Sequence, residues 1–318
     1  MILITGSAGY IGSEICSNFE KHKIKYIGID NLQYSYKYNI YNKKKFNKCC
    51  ISNKKAILSL VNKFNIQTII HCAALSYVTD SEINKKKYYL NNVIKTKKFI
   101  KIIQNSKIKN FIFLSSSNVY SERKNKKIFF ENSKTYPKNF YGKTKLNIEK
   151  FILKKKFNNL IILRLFNVIG VTKSFRPKNF GNFKYQRLLF RMFYNYKKNK
   201  PILINYVKKN TQNIYPSRDF VDIRDFNNLV LKIIKSLNKK NFNKIYNVGK
   251  GKSVGLEKVL NIFKKSIKNK IKINYKEIYN SEYINTKSSI DKIQKKYRWY
   301  PKRSIKSSID SYKNKIII

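Results

Sequence analysis

At 318 residues, the chain has room for one large domain or two modest ones and contains ample apolar residues for a core. Its 70 lysine and arginine residues outnumber its 16 aspartate and glutamate residues, and the resulting formal net charge of +54 would indicate a nucleic-acid-binding protein if the basic residues formed one stripe. They are scattered through nearly every segment, which is typical of a composition bias over an ordinary fold, so we expect weak polyanion binding but no dedicated nucleic-acid partner.

The first predicted strand runs straight into a glycine-rich turn. An apolar run at residues 2–5 is followed by Gly6, Gly9 and Gly12, and an apolar helical pattern begins at once. Glycines at these spacings allow a tight strand-to-helix turn and let the backbone approach a pyrophosphate at the helix N-terminus. A second apolar run ends in Asp30, about 20 residues further on, where a dinucleotide site places its acid. The sequence therefore predicts a dinucleotide-binding unit.

Asp30 also selects between the two nicotinamide dinucleotides. A carboxylate at this position accepts hydrogen bonds from a ribose 2′-hydroxyl and repels a 2′-phosphate. No arginine follows it in residues 31–35. The sequence therefore favours NAD over NADP.

Strand-like and helix-like segments alternate through the first half of the chain, which predicts a Rossmann-type, doubly wound parallel sheet of the α/β class. The predicted strands are 2–5, 25–29, 68–72, 111–115 and 160–165, and the predicted helices are 11–20, 54–64, 88–103 and 142–157. The later pattern comprises an irregular stretch at 171–184, a helix near 186–196 and short strands near 201–204, 219–223, 245–248 and 271–275. We expect an NAD-binding domain at 1–166 and a smaller C-terminal α/β substrate domain at 167–318, with a segment around 212–250 returning to the first domain.

Tyr141 and Lys145 are four residues apart, and so lie on one face of a predicted helix. A phenol is a poor base because its reference pKa is about 10. A lysine ammonium beside it, together with the positive charge of an oxidised nicotinamide, favours the phenolate and makes the tyrosine a usable base. Both residue types are common in this chain, so the pair alone fits a solvated helix face equally well.

Three serines, residues 115–117, close an apolar strand at the carboxyl end of the predicted sheet. Open α/β folds bind their ligands at this end. A hydroxyl there shares a hydrogen bond with a sugar hydroxyl and relays its proton to the tyrosine. We therefore predict that Ser116, Tyr141 and Lys145 form the catalytic set.

These motifs, with residues 71–75, 88–93, 164–167, 218–221 and 246–249, resemble the extended short-chain dehydrogenases/reductases. They are most similar to the UDP-glucose 4-epimerase branch of the NAD-dependent epimerase/dehydratase family, over nearly the whole chain. The resemblance implies an NAD site lined by Gly6, Gly9, Tyr10, Ile11, Gly12, Asp30, Asn31, Ile51, Ala73, Asn91, Lys145 and Phe166.

The resemblance also implies a UDP-sugar substrate and a homodimer. Ser116 and Tyr141 would contact the sugar, whereas Asn167 and Gln186 would face the sugar nucleotide. Arg218 would hold the diphosphate, a pairing that suits a guanidinium fork.

The chain departs from the family pattern at four places that contact nucleotides. Cys50 replaces the aspartate that contacts the adenine amine, and Ser76 replaces a lysine on the nicotinamide side. Residues 279–282 lack the arginine that clasps the substrate nucleotide, and Asn205 stands near the position of an aromatic residue that packs against uracil. These changes leave the redox machinery intact and the identities of the nucleotide and sugar open.

The residues after Ser116 favour one reaction within the family. The related dehydratases carry an Asp-Glu pair here and the decarboxylases a glutamate, whereas Ser117 and Asn118 supply neither acid nor base near neutral pH. Epimerisation at C4 of a UDP-hexose needs no such additional acid or base. We therefore expect epimerisation, with UDP-glucose and UDP-galactose as the pair of hexoses. The alternatives are a 4-epimerase of another sugar nucleotide, a reductase, which Asp30 disfavours because such enzymes usually take NADPH, and a dinucleotide-binding sensor, which has no need of the catalytic set.

The four cysteines lack the spacing of a disulfide framework, and two histidines leave almost no ligands for a zinc site, so we predict no metal. We find no signal peptide and no apolar run of membrane length. The sequence therefore predicts a cytoplasmic protein without a membrane partner.

Overall fold

The computed structural model describes residues 1–35, 37–121, 128–172, 187–209, 212–237, 242–267, 271–277 and 285–316. The strands are β1 (Ile2–Thr5), β2 (Tyr26–Asp30), β3 (Phe46–Lys48), β4 (Thr68–His71), β5 (Asn110–Ser116), β6 (Asn159–Leu165), β7 (Asn167–Ile169), β8 (Ile202–Lys209), β9 (Gln212–Ile214), β10 (Ser217–Asp222), β11 (Phe242–Val248), β12 (Ser253–Gly255) and β13 (Ile273–Glu277). The α-helices are α1 (Tyr10–Lys21), α2 (Lys54–Lys63), α3 (Val78–Ile83), α4 (Lys85–Tyr88), α5 (Lys95–Gln104), α6 (Phe140–Ile152), α7 (Leu188–Lys197), α8 (Ile223–Ser236), α9 (Leu256–Ile267), α10 (Asp291–Tyr297) and α11 (Ile305–Ile316).

Seven parallel strands form the main sheet, in the order β11-β6-β5-β4-β1-β2-β3. β1 lies between β2 and β4, with Thr5 opposite Ile29 on one side and His71 on the other. The chain therefore reverses its direction of travel across the sheet at β1, and a ligand crevice forms outside the carboxyl ends of the strands at such a point.

Helices cover both faces of this sheet, which explains why its central strands are apolar on both sides. One core packs α1, α8 and α10 against the sheet through residues such as Phe19, Phe226 and Trp299. The other packs α2, α5 and α6 through residues such as Phe99 and Ile152. The predicted Rossmann-type, doubly wound fold is confirmed.

The later part of the chain has its own core and two smaller sheets, of order β12-β10-β7 and β13-β8-β9. This core packs α7, α9 and α11 together, with the rings of Phe193 and Phe263 4.8 Å apart at their centres. Strand β11 belongs to this later part of the chain by its position in the sequence, but it pairs with β6 at the edge of the main sheet. The two parts of the chain are thus interleaved.

The continuous α-helix predicted at 88–103 is wrong, because residues Tyr89–Ile94 form a π-helical turn between α4 and α5. Within this turn, the side chain of Asn92 is buried and bonds to the Leu75 main chain, contacts that a periodicity argument does not reveal. The helix predicted at 142–157 runs instead from Phe140 to Ile152. The strand predicted at 201–204 continues to Lys209, and β3 lies where no strand was predicted.

Candidate active site

The glycine turn after β1 requires glycine at two positions. Gly6 has a φ angle of +66°, and a Cβ atom there would lie 2.7 Å from the Ala73 nitrogen. A Cβ atom on Gly12 would lie 2.1 Å from the Gly6 carbonyl oxygen. Helix α1 begins beyond Gly9 without a side-chain cap, so its first backbone N–H groups are available to an anion.

A cleft with about 640 Å³ of empty space opens beside this turn. It brings together seven of the residues predicted to bind the cofactor, which are Gly6, Gly9, Asp30, Asn31, Ile51, Ala73 and Asn91. These residues come from the loops after β1, β2, β3 and β4 and from the π-helical turn. Their meeting at the carboxyl ends of adjacent parallel strands is what a dinucleotide site requires.

Asp30 is held in place by three hydrogen-bond donors. One carboxylate oxygen accepts from the Leu32 nitrogen at 2.9 Å and the Ser35 hydroxyl at 2.7 Å, and the other accepts from the Ala8 nitrogen at 3.2 Å. A carboxylate offers about four lone-pair sites, so Asp30 retains capacity for a ligand hydroxyl. Cys50 lines the same cleft, and its sulfur lies 3.2 Å from the Ser52 hydroxyl oxygen.

Ser116 is the last residue of β5 and is buried. Its hydroxyl oxygen accepts from the Asn118 main-chain nitrogen at 3.2 Å and from the Asn118 side-chain nitrogen at 3.1 Å. With two donors fixed on this oxygen, the hydroxyl hydrogen is directed toward other acceptors. Burial raises the pKa of the Tyr141 phenol, and the nearby Ser116 hydroxyl acts in the opposite direction.

A pair of asparagines ties the end of β5 to the start of α6. Asn139 caps α6 by accepting from the Gly142 nitrogen at 2.8 Å, and its amide donates to the Asn118 side-chain oxygen at 2.9 Å. A Cβ atom on Gly142 would lie 2.1 Å from the Asn118 carbonyl oxygen, so only glycine permits this approach. The pair thereby fixes Tyr141, the second residue of α6, relative to Ser116. The sequence analysis did not identify Asn139 or Gly142 as positioning residues, although an asparagine before an apolar helix is a recognisable cap.

Lys145 is buried one turn after Tyr141, as its spacing predicts. Its ammonium nitrogen donates to the Leu114 carbonyl oxygen at 2.8 Å and lies 6.0 Å from the centre of the Tyr141 ring. Burial lowers the pKa of Lys145 to about 8, against the opposing effects of Cys72 and Glu149. Burial raises the pKa of Tyr141, whereas the positive charge of Arg187 lowers it. The buried phenol therefore has two cations near it, Lys145 and Arg187.

Arg187 was not identified from the sequence. It precedes α7, and its guanidinium carbon lies 4.9 Å from the centre of the Tyr10 ring. The Tyr10 hydroxyl in turn donates to the Gly170 carbonyl oxygen at 2.6 Å. An arginine after a segment without a periodic sequence pattern gives no recognisable signal, so only the folded chain reveals its proximity to Tyr141.

His71 has no catalytic environment. Its ring stacks among three phenylalanines, and burial lowers its pKa to about 3. Its two nitrogens lie 2.9 Å from the Thr5 hydroxyl and 3.4 Å from the Thr96 hydroxyl. The ring is therefore a neutral part of the core beneath the cleft.

The remaining predicted residues lie outside the lining of the cleft. Ile11 packs against the core on the α1 face of the sheet, and buried Phe166 packs with Phe129. Asn167 donates to the Asp219 carbonyl oxygen at 3.3 Å, and Arg218 donates to the Ser217 carbonyl oxygen at 3.1 Å. Gln186 and residues 279–282 lie outside the described residues, so the structure adds nothing to the predictions made for them.

No helix within the described ranges combines the length and hydropathy needed to cross a membrane. In the same parts of the chain, no group of three or more histidine, cysteine, aspartate or glutamate side chains is arranged to hold a metal ion.

The model of the NAD dependent epimerase/dehydratase family matches residues 2–249. The bifunctional protein gal10 of Schizosaccharomyces pombe is 34% identical over 187 residues, covering 54% of this chain and 26% of that protein. The chain thus spans about a quarter of the length of the first relatives it matches. UDP-arabinose 4-epimerase 1 of Arabidopsis thaliana is 28% identical over 332 residues, covering 98% of this chain and 78% of that protein.

The fold is also that of a solved structure, the UDP-glucose-4-epimerase from Stenotrophomonas maltophila with bound NAD and formylated UDP-arabinopyranose. The two chains superpose with a TM-score of 0.90 over 99% of this chain and 97% of the other, at 17% sequence identity. At this identity, the likeness establishes the fold.

Proposed function

The chain belongs to the NAD-dependent epimerase/dehydratase family, and we propose that it is a UDP-sugar 4-epimerase that retains its NAD. The observation that carries the proposal is the asparagine pair that links Ser116 to the start of α6, where Tyr141 lies with the Lys145 ammonium 6.0 Å from the centre of its ring, in a chain of this family. UDP-glucose and UDP-galactose are the first pair of substrates to test, because the motifs of the chain are most similar to that branch.

The cleft has the features that NAD requires. The uncapped N-terminus of α1 suits a pyrophosphate, and Asp30 suits a ribose 2′-hydroxyl. No arginine is among the lining residues to pair with a 2′-phosphate. NAD held by these residues would supply a reversible hydride acceptor for C4 of the sugar.

Three side chains of this protein perform the proton chemistry in the proposed reaction. The Tyr141 phenolate removes the proton of the sugar 4-hydroxyl while C4 loses its hydride, which leaves a 4-keto sugar. Ser116 bonds to the same hydroxyl and aligns it with Tyr141. The Lys145 ammonium stabilises the phenolate electrostatically from 6.0 Å.

The configuration at C4 would invert if the 4-keto sugar turned its other face toward the cofactor before C4 regained its hydride. The Tyr141 phenol then returns its proton to the 4-oxygen, so no net oxidation occurs. Elimination of water would need an acid and a base close to Ser116, and the two residues that follow it, Ser117 and Asn118, are neither near neutral pH. These residues therefore favour epimerisation over dehydration.

The proposal is tested by incubating the protein with UDP-galactose without added NAD and following the sugar by NMR. Appearance of UDP-glucose up to an equilibrium mixture, from the wild-type protein and not from Tyr141→Phe, supports it. A 4-keto-6-deoxy product would identify a dehydratase, and stoichiometric consumption of NADH or NADPH a reductase. UDP-arabinose and GDP- or dTDP-hexoses, assayed in parallel, test the other sugar nucleotides.

We also propose that two parts of the chain bind different ligands. Residues 1–166 would bind NAD and residues 167–318 the sugar nucleotide, with the segment around 212–250 belonging in part to the first unit. The pairing of β11 with β6 and the separate core around α7, α9 and α11 support this division. Asn167, Gln186 and Arg218 are the proposed contacts with the sugar nucleotide.

We propose that the chain forms a homodimer through the segment from α3 to α5. Four of its large apolar side chains are exposed, at 72% for Ile83, 42% for Tyr89, 47% for Leu90 and 43% for Ile94. A second copy of the chain would remove this surface from water. Sedimentation should give a dimer for the wild type and a monomer for Leu90→Glu. Because each copy carries a large positive charge, we expect the dimer to strengthen as the salt concentration rises.

We propose a cytoplasmic location because the cysteines form no disulfide bonds with one another. All four, Cys16, Cys49, Cys50 and Cys72, are free thiols in the structure. Free thiols persist in reducing compartments. Localisation of a tagged copy in the source cells would test this proposal.

A further inference from the structure

Lys95 is a cation on the wall of the dinucleotide cleft. It is the first residue of α5 and is half-buried. No ion pair joins it to a carboxylate within the described parts of the chain. Asp30, the acid among the lining residues, bonds instead to Ala8, Leu32 and Ser35. The cleft therefore presents an ammonium group that forms no ion pair with the described residues of its lining.

The π-helical turn accounts for this placement. It ends at Ile94, immediately before Lys95, and it carries Asn91 on the same wall of the cleft. The buried side chain of Asn92 bonds to the Leu75 main chain and, at 3.2 Å, to the Thr144 hydroxyl, and its amide oxygen accepts from the Asn91 amide at 3.2 Å. The widened turn thus anchors one side chain in the core and presents Asn91 and Lys95 to the cleft. Such turns occur often at functional sites.

The glycine turn contributes Gly6 and Gly9 to the lining of the same cleft and offers backbone N–H groups but no charged side chain. A pyrophosphate at the N-terminus of α1 carries two negative charges in a partly water-excluded site, where a charge pair is screened less than on the surface. Resting on the proposed function, we propose that Lys95 pairs with the pyrophosphate of the bound dinucleotide and is a principal determinant of its retention.

The proposal is tested by measuring the binding of three ligands to the full chain after its nucleotide has been removed. ADP-ribose carries the pyrophosphate, adenosine lacks it, and NADPH adds a 2′-phosphate. We expect Lys95→Met to weaken ADP-ribose about tenfold or more and to leave adenosine unchanged. The dependence of ADP-ribose affinity on salt should also become shallower. Lys98→Met is the matched control, because Lys98 is exposed on the same helix.

Three outcomes would overturn the assignment. Equal losses for ADP-ribose and adenosine would move the contact to the adenosine half, and a loss confined to NADPH would move it to the 2′-phosphate. Unchanged binding of all three ligands by a Lys95→Met protein with a wild-type circular dichroism spectrum would leave Lys95 without a role. These measurements need no turnover, so failure to epimerise any sugar leaves them valid, whereas failure of the wild type to bind ADP-ribose would count against the proposed function itself.

Discussion

The Lys145 ammonium lies 6.0 Å from the centre of the Tyr141 ring, and both groups are buried on one face of α6. Burial acts on the two groups in opposite directions, since it raises the pKa of the phenol and lowers that of the ammonium to about 8. Each group is thereby moved away from its charged form. The proposed catalytic state, a phenolate beside an ammonium, therefore depends on the attraction between the two opposite charges.

Replacement of Lys145 should make the phenolate harder to form. We expect Lys145→Met to lower turnover, because a positive charge that stabilises the phenolate in the transition state is lost. In the wild type this charge is present below a pH of about 8 and is lost as the pH rises through that value, so the difference between the two proteins should be largest below pH 8 and shrink above it. The measurement is the pH dependence of kcat/KM for the wild type and Lys145→Met. A ratio of the two that does not change with pH would separate the Lys145 charge from the base.

Tyr141→Phe should remove turnover while substrate binding is retained. Loss of a general base typically lowers the rate by about 10²–10⁴, and the phenol oxygen acts mainly in the transition state. The measurement is the rate of sugar interconversion together with calorimetric binding of the UDP-sugar. Tyr300→Phe is the control, because Tyr300 is 61% exposed. Near-normal turnover by Tyr141→Phe would mean that another residue is the base.

The glycine turn, Asp30 and the spacing of Tyr141 and Lys145 could be predicted from the sequence because their geometry is local. A strand, a turn and a helix fix the first, and a four-residue helical spacing fixes Tyr141 relative to Lys145. The π-helical turn and Arg187 could not be predicted in the same way. The turn depends on contacts between Asn92 and Leu75, which are distant in sequence. Arg187 reaches Tyr10 only once α7 packs beside α1.

The ion pair of Glu149 and Arg164 stabilises the end of β5, next to Ser116, the proposed catalytic serine. The two are buried and joined at 2.7 Å, and Glu149 also accepts a hydrogen bond from Ser115. Glu149→Ala leaves the guanidinium buried without its partner. We expect it to lower the free energy of unfolding by about 3–5 kcal/mol, as measured by urea denaturation. Lys306→Ala is the control, since its pair with Asp310 is exposed and should contribute less than about 1 kcal/mol.

Arg187 should adjust the pKa of Tyr141, the proposed base. Its positive charge lowers the pKa of Tyr141, so Arg187→Met should raise that pKa, and the rise of activity with pH should move to higher pH. Arg187→Lys keeps the charge and should restore most of the original profile. The pH dependence of kcat/KM for the three proteins is the measurement. Equal profiles for wild type and Arg187→Met would contradict this role.

Asp30 should determine which dinucleotide is retained. Its carboxylate is fixed by Ala8, Leu32 and Ser35, so it cannot swing away from a 2′-phosphate without breaking those bonds. Asp30→Ala removes a charged hydrogen-bond acceptor, which we expect to weaken NADH binding by about 1–3 kcal/mol. Asp30→Asn keeps an acceptor but removes the charge, so it should lose less NADH affinity and gain most in relative affinity for NADPH. Fluorescence titration of both cofactors checks this order. An unchanged NADH-to-NADPH ratio in both variants would show that the carboxylate does not face the ribose.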